Sequence, residues 1–263
     1  MSSTTTLTTK SDLIYSEKEA RTSLSASSSS TLCTLNDQSP FHPDKTLLID
    51  ARGVGCFRLP LPNRQLEIDI THPDGQLAYV STRDRLWSGN SVLSNYKLGD
   101  VIRTEYFFGP NRDPVLHLLQ TSSEDPEVVQ LKGNWTSRSI SFTTPSGSEL
   151  RWSYAKEKRP DGRKVNLLIL SVVEHSKGDH KAVQSSQRRL AQLSRCAETR
   201  TPQTSRCSAG NGGTLQMDEE ALRVHEIDES VVIATCLAML KKEIDRRRMV
   251  QMMVIAGVAS GGP

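Results

Sequence analysis

The chain has 263 residues and a formal net charge of +3, from 33 Lys and Arg against 30 Asp and Glu. That length allows one large or two small domains, and a charge so close to balance demands no nucleic-acid partner. Hydrophobic residues make up 36% of the chain, low for a packed domain, so part of it is expected to stay unpacked. The scarce aromatics lie mostly between Phe57 and Tyr154, where a core is to be sought. The five cysteines, Cys33, Cys56, Cys196, Cys207 and Cys236, are odd in number and widely spaced. With no signal peptide in view, they point to a reducing, intracellular setting.

The first stretch, MSSTTTLTTKSDLIYSEKEARTSLSASSSSTL, has no apolar run and is dense in Ser and Thr. Residues 1–44 therefore read as a disordered, solvated tail. From Lys45 onward, short segments alternate with turn signals every eight to twelve residues, the pattern of an antiparallel all-β domain. In LEIDITHPDGQLAYVST, Leu66, Ile68 and Ile70 share one face and Glu67, Asp69 and Thr71 the other. Pro73-Asp74-Gly75 makes the turn, since proline presets φ and glycine tolerates a positive one. SISFTTPSGSELRWSYA repeats the device around Pro145-Ser146-Gly147. Further strands are expected at 46–50, 55–59, 101–108, 115–120, 127–132, 165–173, 188–195 and 213–217. Residues 175–187 and 196–212 read as polar loops, and Asn134-Trp135-Thr136, although it fits a glycosylation sequon, as the end of a strand. A sheet of about a dozen strands has to close or split into layers to protect its edges.

Near the end stands DESVVIATCLAMLKKEIDRRR, residues 228–248. From Val231 to Leu240 its only polar group other than sulfur is the Thr235 hydroxyl. Ten residues rise about 15 Å as a helix, too short to cross a bilayer, which needs about 20 apolar residues. The apolar surface also runs right round, so this is no amphipathic surface helix. It has to be buried on every side, threaded through a closed barrel, or, as the alternative, held between the two sheets of a sandwich. Asp228 is placed to cap the helix and Glu229 to meet its positive end. Lys241, Lys242 and Arg246–Arg248 follow at the negative end, and Glu243 with Arg247 suits an i,i+4 pair. The tail MVQMMVIAGVASGG, residues 249–262, reads as a continuation packed within the domain; a partner-binding or membrane-touching segment is the other reading.

This arrangement resembles the tubby C-terminal-like superfamily, which includes the phospholipid scramblases and the plant LURP-one-related proteins. It is more similar still to an uncharacterised, mainly fungal branch. The resemblance rests on AYVST (Ala78–Thr82), EYFF (Glu105–Phe108), ELRWSYA (Glu149–Ala155) and DESVVIATCLAMLKKEIDRRR, and covers about residues 45–250. Those motifs are structural, so they speak to fold more than to function. The expected fold is mainly β: a closed antiparallel barrel of about 12 strands around a buried C-terminal helix, with 251–263 as a tail.

No enzyme motif survives inspection. GVGCF lacks the third glycine of a dinucleotide site, SAGNGG lacks the Lys-Ser/Thr of a phosphate loop, and HEIDES lacks the second histidine of a zinc protease. Cys196 and Cys207 have no close histidine pair, so no metal is expected, and no cofactor either. Two basic clusters remain: Lys156, Lys158, Arg159, Arg163 and Lys164 around the Pro160-Asp161-Gly162 turn, and Arg246, Arg247 and Arg248 after the helix. Such a knot of cations can hold phosphate head groups, and some tubby-like domains bind phosphoinositides, as the resemblance implies. The plainer reading is a solvated hairpin tip, its charge diluted by Glu157 and Asp161. The expectation is a monomeric, non-enzymatic binding module for anionic lipid or an acidic protein, cytoplasmic and peripheral at membranes where it meets lipid. A protein-interaction scaffold without lipid binding is the alternative.

Overall fold

The computed structural model describes residues 41–55, 61, 64–107, 112–120, 127–134, 137–158, 162, 164–173 and 188–260. The tail over 1–40, the strand expected at 55–59 apart from its first residue, the loop at 175–187 and the Trp135-Thr136 end of the sequon lie outside the described residues. Twelve strands follow in chain order: β1 Lys45–Ile49, β2 Glu67–Thr71, β3 Leu77–Thr82, β4 Ser91–Asn95, β5 Gly99–Glu105, β6 Val115–Leu118, β7 Glu127–Gln130, β8 Ile140–Thr143, β9 Glu149–Lys158, β10 Lys164–Val172, β11 Arg189–Ser194 and β12 Gly213–Met217. Two helices complete the chain, α1 Glu219–Val224 and α2 Glu229–Ser260.

All twelve strands pair antiparallel in a single sheet, in the order β7-β6-β5-β4-β3-β2-β1-β12-β11-β10-β9-β8. The two edge strands nearly meet. Lys132, just past β7, and Ser141 of β8 exchange backbone hydrogen bonds of 2.7 and 2.8 Å. The sheet is thus a nearly closed barrel and not the two layers of a sandwich. The turns follow the expected chemistry: Gly75 and Gly147 both take φ +87, and each donates its N–H to the carbonyl three residues back, 2.9 Å away.

One continuous core takes side chains from every strand and from α2. Nine of the ten residues Val231–Leu240 are buried. A fully buried Val, Leu or Ile contributes roughly 1.5–3 kcal/mol, so this one segment is a large part of what holds the barrel. Polar contacts confirm its central position. Trp152 of β9 donates its indole N–H to the Thr235 hydroxyl at 2.9 Å. Lys45 of β1 pairs with Glu229, and Tyr106, next after β5, lies under the Lys241 ammonium, 5.2 Å from the ring centroid. Those three strands stand four apart from one another around the ring. At the start of α2 the Asp228 carboxylate accepts from the Ser230 N–H at 2.7 Å.

Four expectations need correction. Strand β4 was not foreseen, because SVLSN carries only two apolar residues between Ser and Asn. Helix α1 was also missed; Asp218 caps it by accepting from Ala221 N–H at 2.8 Å. The expected tail ends sooner, since Asp44 is tied down by a bond from its N–H to the Met217 carbonyl and one from Glu219 N–H to its carboxylate. The stretch 249–260 does continue α2, yet it packs within the domain only in part: Gln251 donates to the Gly55 carbonyl at 3.3 Å, while Val250, Met252, Met253, Val254 and Ile255 are exposed.

Candidate functional site

Helix α2 begins at one mouth of the barrel, called here the near mouth, and emerges at the far mouth. The ends of β1, β3, β5, β7, β9 and β11 and the starts of the even-numbered strands converge on the far mouth. The charged turn of α2, Lys241–Arg248, fills it.

Glu243 points inward, not towards Arg247 as the i,i+4 spacing suggested. Its carboxylate takes two bonds from the Arg195 guanidinium, at 2.7 and 2.8 Å, one from Gly210 N–H at 2.7 Å, and one from the Tyr154 hydroxyl. Burial alone would raise the carboxyl pKa; Arg195 and the other donors more than offset it, so Glu243 stays below the usual carboxylate range. Burial and the adjacent Glu243 together push the Tyr154 hydroxyl up. This cluster locks the end of the helix to β9 and to the loop before β12.

A second cluster surrounds Asp245, which is fully buried. Lys241 reaches it at 2.8 Å and Arg248 at 3.6 Å. Tyr106 faces the same carboxyl, and its hydroxyl is pushed up by burial and by that charge. Arg83, at the end of β3, donates to the Gln65 carbonyl, and its pKa is lowered by burial and by the neighbouring Arg248 against the pull of Asp245. Between these groups and α2 lies a cavity of about 60 Å³, walled by Arg52, Gln65, Arg83, Tyr106, Lys241 and Arg248 on its polar side. Leu237, the one residue of the ten that is only partly buried, lines its apolar side. Lys241, Arg248 and Arg83 thus gather about the Asp245 carboxyl at the edge of this cavity.

The third cluster is mainly cationic, with Asp113 and Glu243 near its edge. Lys242 donates to the Ser139 carbonyl at 3.1 Å. Gly133 leaves room for that ammonium: a Cβ there would stand 2.7 Å from it. Burial and then Arg246 bring the Lys242 pKa down to about 8, with Asp113 pulling the other way. Arg246 is itself lowered by burial and by Arg138.

Of the two basic clusters read from the sequence, Arg246 lies in this third group and Arg248 is turned onto Asp245, with its guanidinium 5.8 Å from the Trp87 ring centroid. Arg247 is partly exposed. Lys156 and Lys158 are exposed at the end of β9 that runs to the far mouth, on the strand face shared with Trp152 and Tyr154. Arg159, Arg163 and the Lys164 side chain lie outside the described residues. Glu157 does not dilute the pair, since it sits on the opposite strand face and binds Arg189. Sequence reading missed Arg83, Arg138, Arg195 and Tyr106, each a lone residue in its own segment that only the closure of the barrel brings to one place. The deciding signal was weak but present: Asp245 amid five Lys and Arg, in a helix otherwise predicted to be buried.

Comparison of the chain with known protein families, with curated proteins and with solved structures finds no match. The nearly closed twelve-strand antiparallel barrel with its C-terminal helix is consistent with a tubby-like fold. Among the described residues, no helix is long and apolar enough to cross a membrane.

Proposed function

We propose that this chain is a non-enzymatic, tubby-like binding module that meets anionic lipid head groups, phosphoinositides among them, with the far mouth of its barrel. The observation that carries the reading is the crowding of Arg138, Lys242 and Arg246: burial first, then the Arg246 charge, lowers the Lys242 pKa, and burial, then the Arg138 charge, lowers that of Arg246. Lys156 and Lys158 stand exposed at the same mouth. Cations held together against their own repulsion favour a ligand that neutralises them, and phosphate oxygens do so with charge-assisted hydrogen bonds.

The test is co-sedimentation with vesicles of neutral lipid, with and without phosphoinositide. Each Lys or Arg near a charged surface contributes on the order of 1 kcal/mol. Replacing Lys156, Lys158, Arg159, Arg163 and Lys164 together by Ser is therefore expected to cost roughly 3–5 kcal/mol of membrane affinity. Folding should survive, because Lys156 and Lys158 are exposed. Added salt should weaken binding in parallel, as for any screened surface charge. Equal pelleting with neutral and anionic vesicles would remove the lipid reading and leave a protein-interaction scaffold.

A further inference from the structure

The last turns of α2 present an unusual surface. Val250, Met253, Val254 and Ile255 are 58%, 63%, 60% and 48% exposed. Successive helical residues are turned by about 100°, so these four side chains, with Met252 at 36% exposure, spread round most of the helix and not along one stripe, while Gln251 among them donates to the Gly55 carbonyl at 3.3 Å. Lys and Arg end at Arg248, immediately before this segment. Trp87, 74% exposed on the loop after β3, stands beside Arg248 and so at the base of the apolar turns.

We infer that the end of α2, from Val250 to Ile255, inserts together with Trp87 into the outer part of an anionic bilayer. The inference rests on the lipid-binding reading above and adds the mode of attachment. Three features commit the surface to lipid. A groove on a protein covers one face of a helix, whereas acyl chains can meet apolar side chains that spread round most of it, as Val250, Met252, Met253, Val254 and Ile255 do. The charges lie in the right layer, since Arg246, Arg247 and Arg248 sit directly behind the apolar turns, at head-group level when those turns are immersed. Trp87 occupies the level between, the position that an amphipathic indole ring favours at a membrane surface.

The experiment uses the full chain and phosphatidylcholine vesicles containing phosphatidylserine, with bromine on the acyl chains as a contact quencher. Tryptophan emission should be quenched on binding, and that quenching should disappear in Trp87→Phe. The double variant Met253→Asp, Ile255→Asp should bind at least tenfold more weakly in high salt, where the apolar contribution remains, and keep its near-ultraviolet circular dichroism, since both positions are exposed. If the wild type pellets with anionic vesicles but shows no quenching, and the Asp variant pellets equally, adsorption is purely electrostatic; the insertion is then overturned and the lipid reading stands. No pelleting of the wild type removes both. A concentration-dependent dimer without vesicles, abolished by the Asp variant, would assign this surface to a second copy of the chain and also overturn the insertion.

Discussion

Glu243 shows how one side chain can hold an element in place. It is surrounded by charged Lys and Arg on its own helix, yet it binds Arg195, Tyr154 and Gly210 instead, because the barrel wall supplies donors in fixed positions and solvent does not compete there. Breaking such a buried pair from one side leaves the other charge without its partner, which costs about 3–5 kcal/mol. Glu243→Gln should lower stability by that order in urea denaturation, and Arg195→Met added to it should recover part of the loss. A recovery of zero would mean that Arg195 gains nothing from this carboxylate. The acid limb gives a second reading of the same residue. The carboxyl pKa is lower in the folded chain than the 4.5 of a free one. Its contribution is therefore complete above about pH 4.5 and is lost as the pH falls through the folded value. Wild type should lose stability more steeply than Glu243→Gln below pH 4.5.

Helix α2 is the element on which the rest depends, and the sequence announced it through composition. Ten residues with one hydroxyl admit few environments, and the hydroxyl itself is satisfied by Trp152. Ala234 is buried at 3% exposure, and Arg in its place would bury a charge with no partner prepared for it. Ala234→Arg should leave the chain unfolded, seen as loss of the cooperative thermal transition; a folded variant would mean that the helix has a route to solvent. The barrel was legible for a related reason: period-two alternation and two Pro-x-Gly turns fix hairpins locally, and twelve strands need closure. Strand β4 escaped because its pairing with β3 and β5, not its own composition, makes it a strand. The site was only half legible. The run after Leu240 was visible, but its division into an inward Glu243, a buried Asp245 and a crowded Lys242 and Arg246 depends on Arg195, Tyr106 and Arg138, which are distant in the chain.

Across the whole barrel, charge is segregated along the axis of α2. The near mouth gathers Asp218, Glu219, Glu220, Asp228 and Glu229, with Lys45 paired to two of them. The far mouth gathers Arg83, Arg138, Lys156, Lys158, Arg195, Lys241, Lys242 and Arg246–Arg248, which outnumber Asp113, Glu243 and Asp245 beside them. From Glu229 to Val250 the helix rises about 32 Å, several times the screening length of about 8 Å at physiological salt. An anionic surface touching the far mouth therefore attracts its cations and scarcely senses the acids at the other end, whereas the reverse orientation brings those acids into the repulsive field. Attraction and orientation thus have one origin. Hydrogen exchange with anionic vesicles should slow at residues 83–90, 131–134 and 137–139, which border the far mouth, and stay unchanged at the near-mouth turns 72–76 and 144–148. Protection at the near-mouth turns would reverse the orientation. Equal protection at both mouths would mean that the barrel lies on its side and that its polarity plays no part in docking.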